Sequence, residues 1–309
     1  MRILAFALIA LGLPAQQKQS STYVFDINGR RTDWTQARSG EGASSETIRD
    51  VNGQRIPVEQ VQEKVLRNEG GVRIVERTTK RFDPNGRPLP PEKTVVESTT
   101  RPDGSGTESV TTYRGDLNGN LQLSERAATQ FRKSGDTITR ETSVERTGIS
   151  GSLEAVERRV VQETTTKTTS EKDETIYSRD SNGRFAETGR RIVKAATIDG
   201  KVREQVDEYE SATTGRLQLA RTSVATTAKT ADGGERKEVD VYGPAAPGRA
   251  ISTDGKLQLR ERQYYTSRQS ADGATVQVFA VQRPNLGPKA DLGPVQTISE
   301  TVSRTTPQR

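Results

Sequence analysis

Residues 82–88 read Phe-Asp-Pro-Asn-Gly-Arg-Pro, and near-copies of the phrase recur along the chain. They stand at Phe25-Asp26-Ile27-Asn28-Gly29-Arg30, at Asp50-Val51-Asn52-Gly53, at Asp116-Leu117-Asn118-Gly119 and at Asp180-Ser181-Asn182-Gly183. In Asp83-Pro84-Asn85-Gly86 the Asp can bond its own backbone further along, and Pro pre-sets the next dihedral. Gly supplies the positive φ that closes a type I turn with a bulge. A phrase repeated this often is one backbone bend made again and again. A calcium loop also begins D-x-N, but it needs Gly at position six and a distant Glu. Here Gly is at position four and a basic residue usually follows.

Working outward, the turn glycines Gly29, Gly53, Gly86, Gly119, Gly151, Gly183, Gly215 and Gly255 are separated by 24, 33, 33, 32, 32, 32 and 40 residues. That spacing marks a repeat protein. The longest interval holds the Pro/Gly-rich insert at 243–250, where extra loop length costs little. A second turn falls midway through each unit, as in Pro102-Asp103-Gly104 and Ala271-Asp272-Gly273. Each unit is therefore turn, strand, turn, strand.

The segments between turns read as strands. In 121–131, Leu121, Leu123, Ala127 and Phe131 are expected on one face, with Gln122, Ser124, Arg126 and Gln130 on the other. Elsewhere alternation fades: 160–175 holds Thr on both faces, which suits a strand but buries little. The expected fold is all-β, an elongated and twisted antiparallel hairpin array, a meander or spiral with about 32 residues per two-strand unit and a thin core. Recurrent pairs such as Glu76-Arg77, Glu125-Arg126 and Glu261-Arg262 put adjacent charges on opposite faces, so each is expected to pair across strands.

Composition agrees. The chain is 30% hydrophobic and 5% aromatic, with mean hydropathy −0.78, too poor for a thick core. The 47 basic and 41 acidic residues nearly cancel, which together with the regular spacing argues against disorder. Absence of His and Cys removes the usual zinc ligands, the thiol nucleophile and the commonest proton shuttle near neutral pH. No cofactor or metal is expected, and no enzymatic role. A two-carboxylate glycosidase needs neither residue, but the acids here sit at turn starts or in Glu-Arg pairs.

Residues 1–15 carry one Arg, an apolar run from Ile3 to Leu13, then Pro14 and Ala15, the order of a secretory signal peptide. The repeat domain is read as 16–282 and a Pro/Gly-containing terminal cap and tail as 283–309. The expected location is secreted, periplasmic or at the cell surface.

The phrases at Phe25–Arg30 and Phe82–Arg87 resemble the aromatic-Asp-x-x-Gly-Arg signature of the YD-repeat (Rhs-type) families. Tyr113 and Tyr177, each three residues before the Asp of its turn, look like a looser version. The resemblance implies a continuous β-strand spiral from an extracellular or cell-surface protein. The period here is longer, Tyr-Asp itself never occurs, and at 309 residues a closed shell is not expected.

The expected function is a non-catalytic secreted scaffold, a structural, spacer or adhesion element. The alternative is a binding module for envelope polysaccharide or another polyanion, with Trp34, Tyr264 and Tyr265 as ligand-contact aromatics. Partners on these readings are an envelope glycan, another envelope protein, or a second copy through edge strands. Nucleic acid is not expected: the pI of 9.5 reflects a mild Arg excess without a basic block. An outer-membrane barrel is also exported and Cys-free, but 6 Phe and 7 Tyr are few for aromatic girdles, and 162–176 has no apolar face. No transmembrane segment is therefore expected after the leader.

Overall fold

The structure is a computed structural model that describes residues 17–39, 42–51, 53–116, 118–180, 182–212, 215–244, 257–285 and 292–306. The leader, Asn52, Gly255 and most of the insert lie outside the described residues. The first strands are β1 (Gln17–Phe25), β2 (Arg31–Ser39), β3 (Ser44–Val51), β4 (Gln54–Glu69), β5 (Val72–Arg81) and β6 (Glu92–Thr100). There follow β7 (Gly106–Gly115), β8 (Leu121–Ser134), β9 (Thr137–Thr147), β10 (Leu153–Thr165), β11 (Thr169–Arg179) and β12 (Phe185–Ile198). The last are β13 (Lys201–Ser211), β14 (Leu217–Lys229), β15 (Glu235–Gly243), β16 (Gln258–Gln269), β17 (Thr275–Gln282) and β18 (Gln296–Thr306).

All-β antiparallel structure is as the sequence implies: each strand pairs with the next, in one 18-stranded sheet. The open array is not. β18 pairs with β17 on one edge and with β1 on the other, in register from Gln17↔Thr306 to Val24↔Ser299. The sheet is a closed barrel with no free edge, so the expected self-association through edge strands has no strand to use. Val295–Arg304, expected as part of a terminal cap, falls largely in the strand that completes the ring. Twist coils the meander as anticipated, but on a circle: eighteen strands about 4.8 Å apart and tilted about 40° enclose a ring about 35 Å across.

Hairpin turns alternate between two rims. The first rim holds the Asn-Gly turns and the longest connections, 82–91, 244–257 and 283–295. The second rim holds short connections, the start of β1 and the end of β18. Every hairpin at the first rim except β5–β6 carries a register shift near the turn, for example between Thr112 and Tyr113 and between Glu208 and Tyr209. A bulge sets two residues against one and reverses the in-out phase beyond it. Thr112 is opposite Glu125, but Tyr113 is opposite Leu123. Leu121 and Leu123 consequently face away from Ala127 and Phe131, contrary to the simple alternation read from the sequence.

In-register partners share a face, so the pairings sort the side chains of the whole ring into two sets. One set includes an unbroken row across six strands, Val65, Val75, Val96, Val110, Ala127 and Val144, and nearly all the buried apolar side chains, among them Val206, Val239 and Val241. On β9 this set is half-buried or buried (Ile138, Arg140, Thr142, Val144), whereas Thr139, Glu141 and Ser143 of the other set are exposed. Side chains converge on the concave side of a closed sheet and splay on the convex side. The more buried set lines the lumen. The thin core is this lining, and among the described residues no large side chain is fully buried.

Candidate functional site

The turns have the geometry their residues dictate. The Asp83 N–H donates to the Arg87 carbonyl at 2.8 Å, the Gly86 N–H donates to the Asp83 carbonyl at 2.9 Å, and Gly86 has φ +78°. The Asp83 carboxylate accepts the N–H groups of Asn85 and Arg87, both at 2.8 Å. The same pattern recurs at Asp26, Asp116 and Asp180, with Asn28, Asn118 and Asn182 donating through their N–H groups. At the second Asn-Gly turn the Asp50 carboxylate instead accepts the Gly53 N–H at 2.8 Å. Gly29, Gly53, Gly119, Gly151, Gly183 and Gly215 likewise have positive φ. The Asp carboxylates are thus occupied by their own backbone.

Beside its valine row, the lumen wall carries ion pairs. Arg146 pairs with Glu125 at 2.7 Å and Arg140 with Glu163 at 3.0 Å. Lys237 of β15 reaches over β14 to Glu204 of β13 at 3.0 Å, a span that the converging side chains of a concave wall allow. Among the described residues, strands pack substantially only on near neighbours in the ring.

The outward face has two zones. Near the first rim, beside the bulges, stand Tyr23, Trp34, Tyr113, Tyr177, Tyr209 and Tyr242, all half-buried and all assigned to this face by their partners. Five of the 7 tyrosines and the 1 tryptophan form this belt. Tyr113, Tyr209 and Tyr242 each oppose a leucine: Leu123, Leu219 and Leu259. Arginines lie over several rings, Arg31 at 3.8 Å from the Tyr23 centroid and Arg55 at 5.6 Å from that of Trp34. The rest of the outward face is not a continuous apolar band. It carries ion pairs such as Lys93 with Glu76 at 2.6 Å, Arg158 with Glu141 at 2.8 Å and Lys194 with Glu171 at 3.3 Å. Of the Glu-Arg doublets, Glu76-Arg77 pairs across strands through both members, Glu125 through Arg146 and Arg262 through Asp240.

Of the aromatics singled out in the sequence, Trp34 joins the belt and stacks on Tyr23 with centroids 6.3 Å apart. Tyr264 and Tyr265 make no shared platform, since neighbours in a strand point to opposite faces. Tyr264 donates to the Gln282 side chain at 2.6 Å on the outside. Tyr265 stacks on Phe279 in the lumen, centroids 4.7 Å apart. The belt itself was hidden in the sequence because bulges in the partner strands, at Ser124, Ala220 and Arg260, move the leucines opposite Tyr113, Tyr209 and Tyr242 out of simple alternation. Its one visible trace is a tyrosine three residues before each turn start, at Tyr23, Tyr113, Tyr177 and Tyr209.

No family model matches the chain, and no curated protein matches it in sequence. Among solved structures, Salmonella typhi OmpF in complex with daunomycin is similar over 94% of this chain and 95% of that one, at 8% identity and a TM-score of 0.49. A triple mutant of the Rh. blastica porin is similar over 94% and 98%, at 9% identity and a TM-score of 0.49. A bacterial polysaccharide outer membrane secretin is similar over 95% and 98%, at 8% identity and a TM-score of 0.38. Likeness at this level says nothing about activity; the barrel is established by the ring of strand pairs.

Closure overturns the functional expectation. The expected secreted scaffold or spacer rests on an open, elongated array, and the binding module on Trp34, Tyr264 and Tyr265 as ligand contacts; the sheet is closed and those three aromatics share no platform. A ring with every edge paired is instead the one β architecture that satisfies its backbone without water and can cross a bilayer. The expectation of no transmembrane segment falls with it.

Proposed function

We propose that this chain is a β-barrel channel of the cell envelope, a non-enzymatic wall around a water-filled lumen that lets small hydrophilic solutes cross an outer membrane. The observation that supports it most is the β1–β18 seam: a closed barrel of this strand number leaves an aqueous passage rather than a packed core. The ion-paired lumen wall suits hydrated solutes. The outward belt of tyrosines and leucines is of the kind that sits at a membrane–water interface, and the leader-like N-terminus fits export.

The outward face below the belt sets the cost of insertion. A lone Arg or Lys facing lipid at the midplane costs about 2–4 kcal/mol. Here many such cations lie against a carboxylate of the neighbouring strand, the state in which charge leaves water at least expense. Insertion is tested by adding the detergent-folded chain to planar lipid bilayers. Stepwise conductance increments above the detergent control support the channel. A chain that retains a β spectrum yet gives no increments in any lipid composition overturns it.

A further inference from the structure

Near the first rim the ion pairs of the lumen wall join into a girdle that runs from strand to strand. Asp33 of β2 pairs with Arg49 of β3 at 2.9 Å, and Arg81 of β5 lies between Glu59 of β4 and Glu92 of β6 at 3.1 and 3.8 Å. Arg114 of β7 reaches the same Glu92 at 3.4 Å, and Arg146 of β9 reaches Glu125 of β8. Farther round, Glu157 pairs with Arg159 on β10 at 2.5 Å, and Glu208 of β13 is flanked by Arg191 of β12 and Arg221 of β14 at 3.5 and 3.9 Å. Glu261 of β16 holds Arg283 at 3.0 Å.

The strand pairings put these side chains on the lumen face. Glu92 shares a face with Val96, Arg114 with Val110, Glu125 with Ala127, Arg146 with Val144 and Glu208 with Val206. Every member lies in the half of its strand next to the first rim, or just past its end. From Asp33 on β2 to Glu157 on β10 the signs alternate by strand, acid on even strands and arginine on odd. The girdle is interrupted at Ser178 of β11, at Val241 of β15 and at the seam. Nearer the second rim the charge is less continuous, with Ser98 on β6 and Ala195 on β12 in lumen positions.

A ring of one sign selects ions of the other, as carboxylates do in cation channels and Arg or Lys in anion pores. Here each acid of the girdle lies within ion-pair distance of an arginine, and neighbouring strands are about 4.8 Å apart. That spacing is shorter than the screening length of about 8 Å at physiological salt. Opposite charges therefore cancel before their field reaches the axis.

We propose that this girdle is the selectivity ring of the lumen, and that its balance of signs lets cations and anions pass alike. The residues that determine selectivity are Glu59, Glu92, Glu125 and Glu208 on one side of the balance and Arg81, Arg114, Arg146 and Arg221 on the other. The proposal rests on the channel reading and adds which residues set the ionic preference of the passage.

The chain has no Cys, so Ser178→Cys places one thiol in the gap of the girdle on β11, in register with Glu157 on the lumen face. The detergent-folded chain is treated at low salt with a cationic (trimethylammonium-ethyl) or an anionic (sulfonatoethyl) methanethiosulfonate. The ratio of the two rates is divided by the same ratio for a small free thiol. With the girdle intact the result should lie within about threefold of unity. Unpaired like charges build potentials of several kT, so E59Q/E92Q/E125Q/E208Q should favour the anionic reagent and R81Q/R114Q/R146Q/R221Q the cationic one, each on the order of tenfold. E208Q alone frees Arg191 on the strand next to β11 and should shift the ratio as the fourfold acid variant does; it takes that variant's place if a β spectrum shows that the fourfold chain has not folded. E141Q/E171Q/D173N, on the outward face, is the control and should react as the S178C chain does. A ratio tenfold from unity with the girdle intact, a ratio unmoved in E208Q and the arginine variant, or a thiol that neither reagent reaches overturns the proposal. The channel reading fails separately: labelling that follows the girdle in a chain giving no bilayer increments keeps the balanced ring and removes the channel, whereas increments with labelling indifferent to the girdle do the reverse.

Discussion

Thr22 and Thr301 are 279 residues apart in sequence, yet their hydroxyl oxygens share a hydrogen bond at 2.9 Å. They face each other across β1 and β18, the last pairing in the ring, and every other strand pairing joins sequence neighbours. The same Thr-Thr contact joins β2 to β3 at Thr35 and Thr47 and β8 to β9 at Thr129 and Thr142. The seam is built like any other hairpin.

Removing β18 should therefore expose two edges at once, on β1 and β17. A chain ending at residue 295 is expected to associate into oligomers or aggregate, because unpaired strand edges template further pairing. Light scattering during size-exclusion chromatography checks this: the parent should elute as one species in detergent and the truncated chain as a ladder or in the void. A monodisperse truncated chain would show that closure is not what occupies those edges.

Close approaches at the second rim predict which glycines are irreplaceable. A Cβ on Gly106 would stand 1.9 Å from the Thr99 carbonyl oxygen, and one on Gly234 would stand 2.0 Å from that of Ser267. Relieving either clash means moving backbone, at a cost of roughly 1–3 kcal/mol. At Gly29 nothing lies within 4 Å of the added atom, and only its φ of +72° opposes a side chain. Urea unfolding should rank Gly106→Ala and Gly234→Ala well below Gly29→Asn, since Asn tolerates positive φ. Equal midpoints would contradict the packing at those hairpins.

Turn carboxylates give the barrel an acid limit. Asp103 is held below the usual carboxylate range chiefly by the Ser105 hydroxyl, Asp116 by the Asn120 N–H, Asp232 by the Thr230 hydroxyl, and Asp272 by the Ser270 hydroxyl and then Arg304. A folded pKa lowered in this way stabilises the native state above the unfolded value, about 3.9, and the benefit disappears as pH falls through the folded value. The thermal midpoint should be flat from neutral pH to about 5 and decline below about 4. In D103N/D116N/D232N/D272N the decline should be shallower. An identical decline in parent and variant would assign acid sensitivity elsewhere.

Much of the fold was legible in the chain. Asp-x-Asn-Gly has one economical backbone solution, and its interval fixed two strands per unit. Closure was not legible, because β1 and β18 carry nothing that distinguishes a paired edge from a free one: Thr22 and Thr301 resemble the threonines of any exposed strand. Face assignment failed where bulges intervene, as at Ser124, since one extra residue moves Leu121 and Leu123 to the outside. The belt was missed because a count of Tyr and Phe carries no level: five tyrosines and Trp34 are gathered near one rim, and the bulges bring Leu123, Leu219 and Leu259 to the same face. The lumen was unreadable for a related reason, since Val75 and Val144 become lining only when the strands between them complete a curved wall.

Because the chain contains no Cys, a designed disulfide reports on the seam without competition. Thr22→Cys with Thr301→Cys should cross-link in the folded chain, tying it into one covalent ring whose denatured form migrates anomalously on gels until reduced. Thr35→Cys with Thr47→Cys, the equivalent pair within a hairpin, serves as the folded control. A bond at both sites is the expected result; a bond at the hairpin and none at 22–301 would mean that the sheet is open.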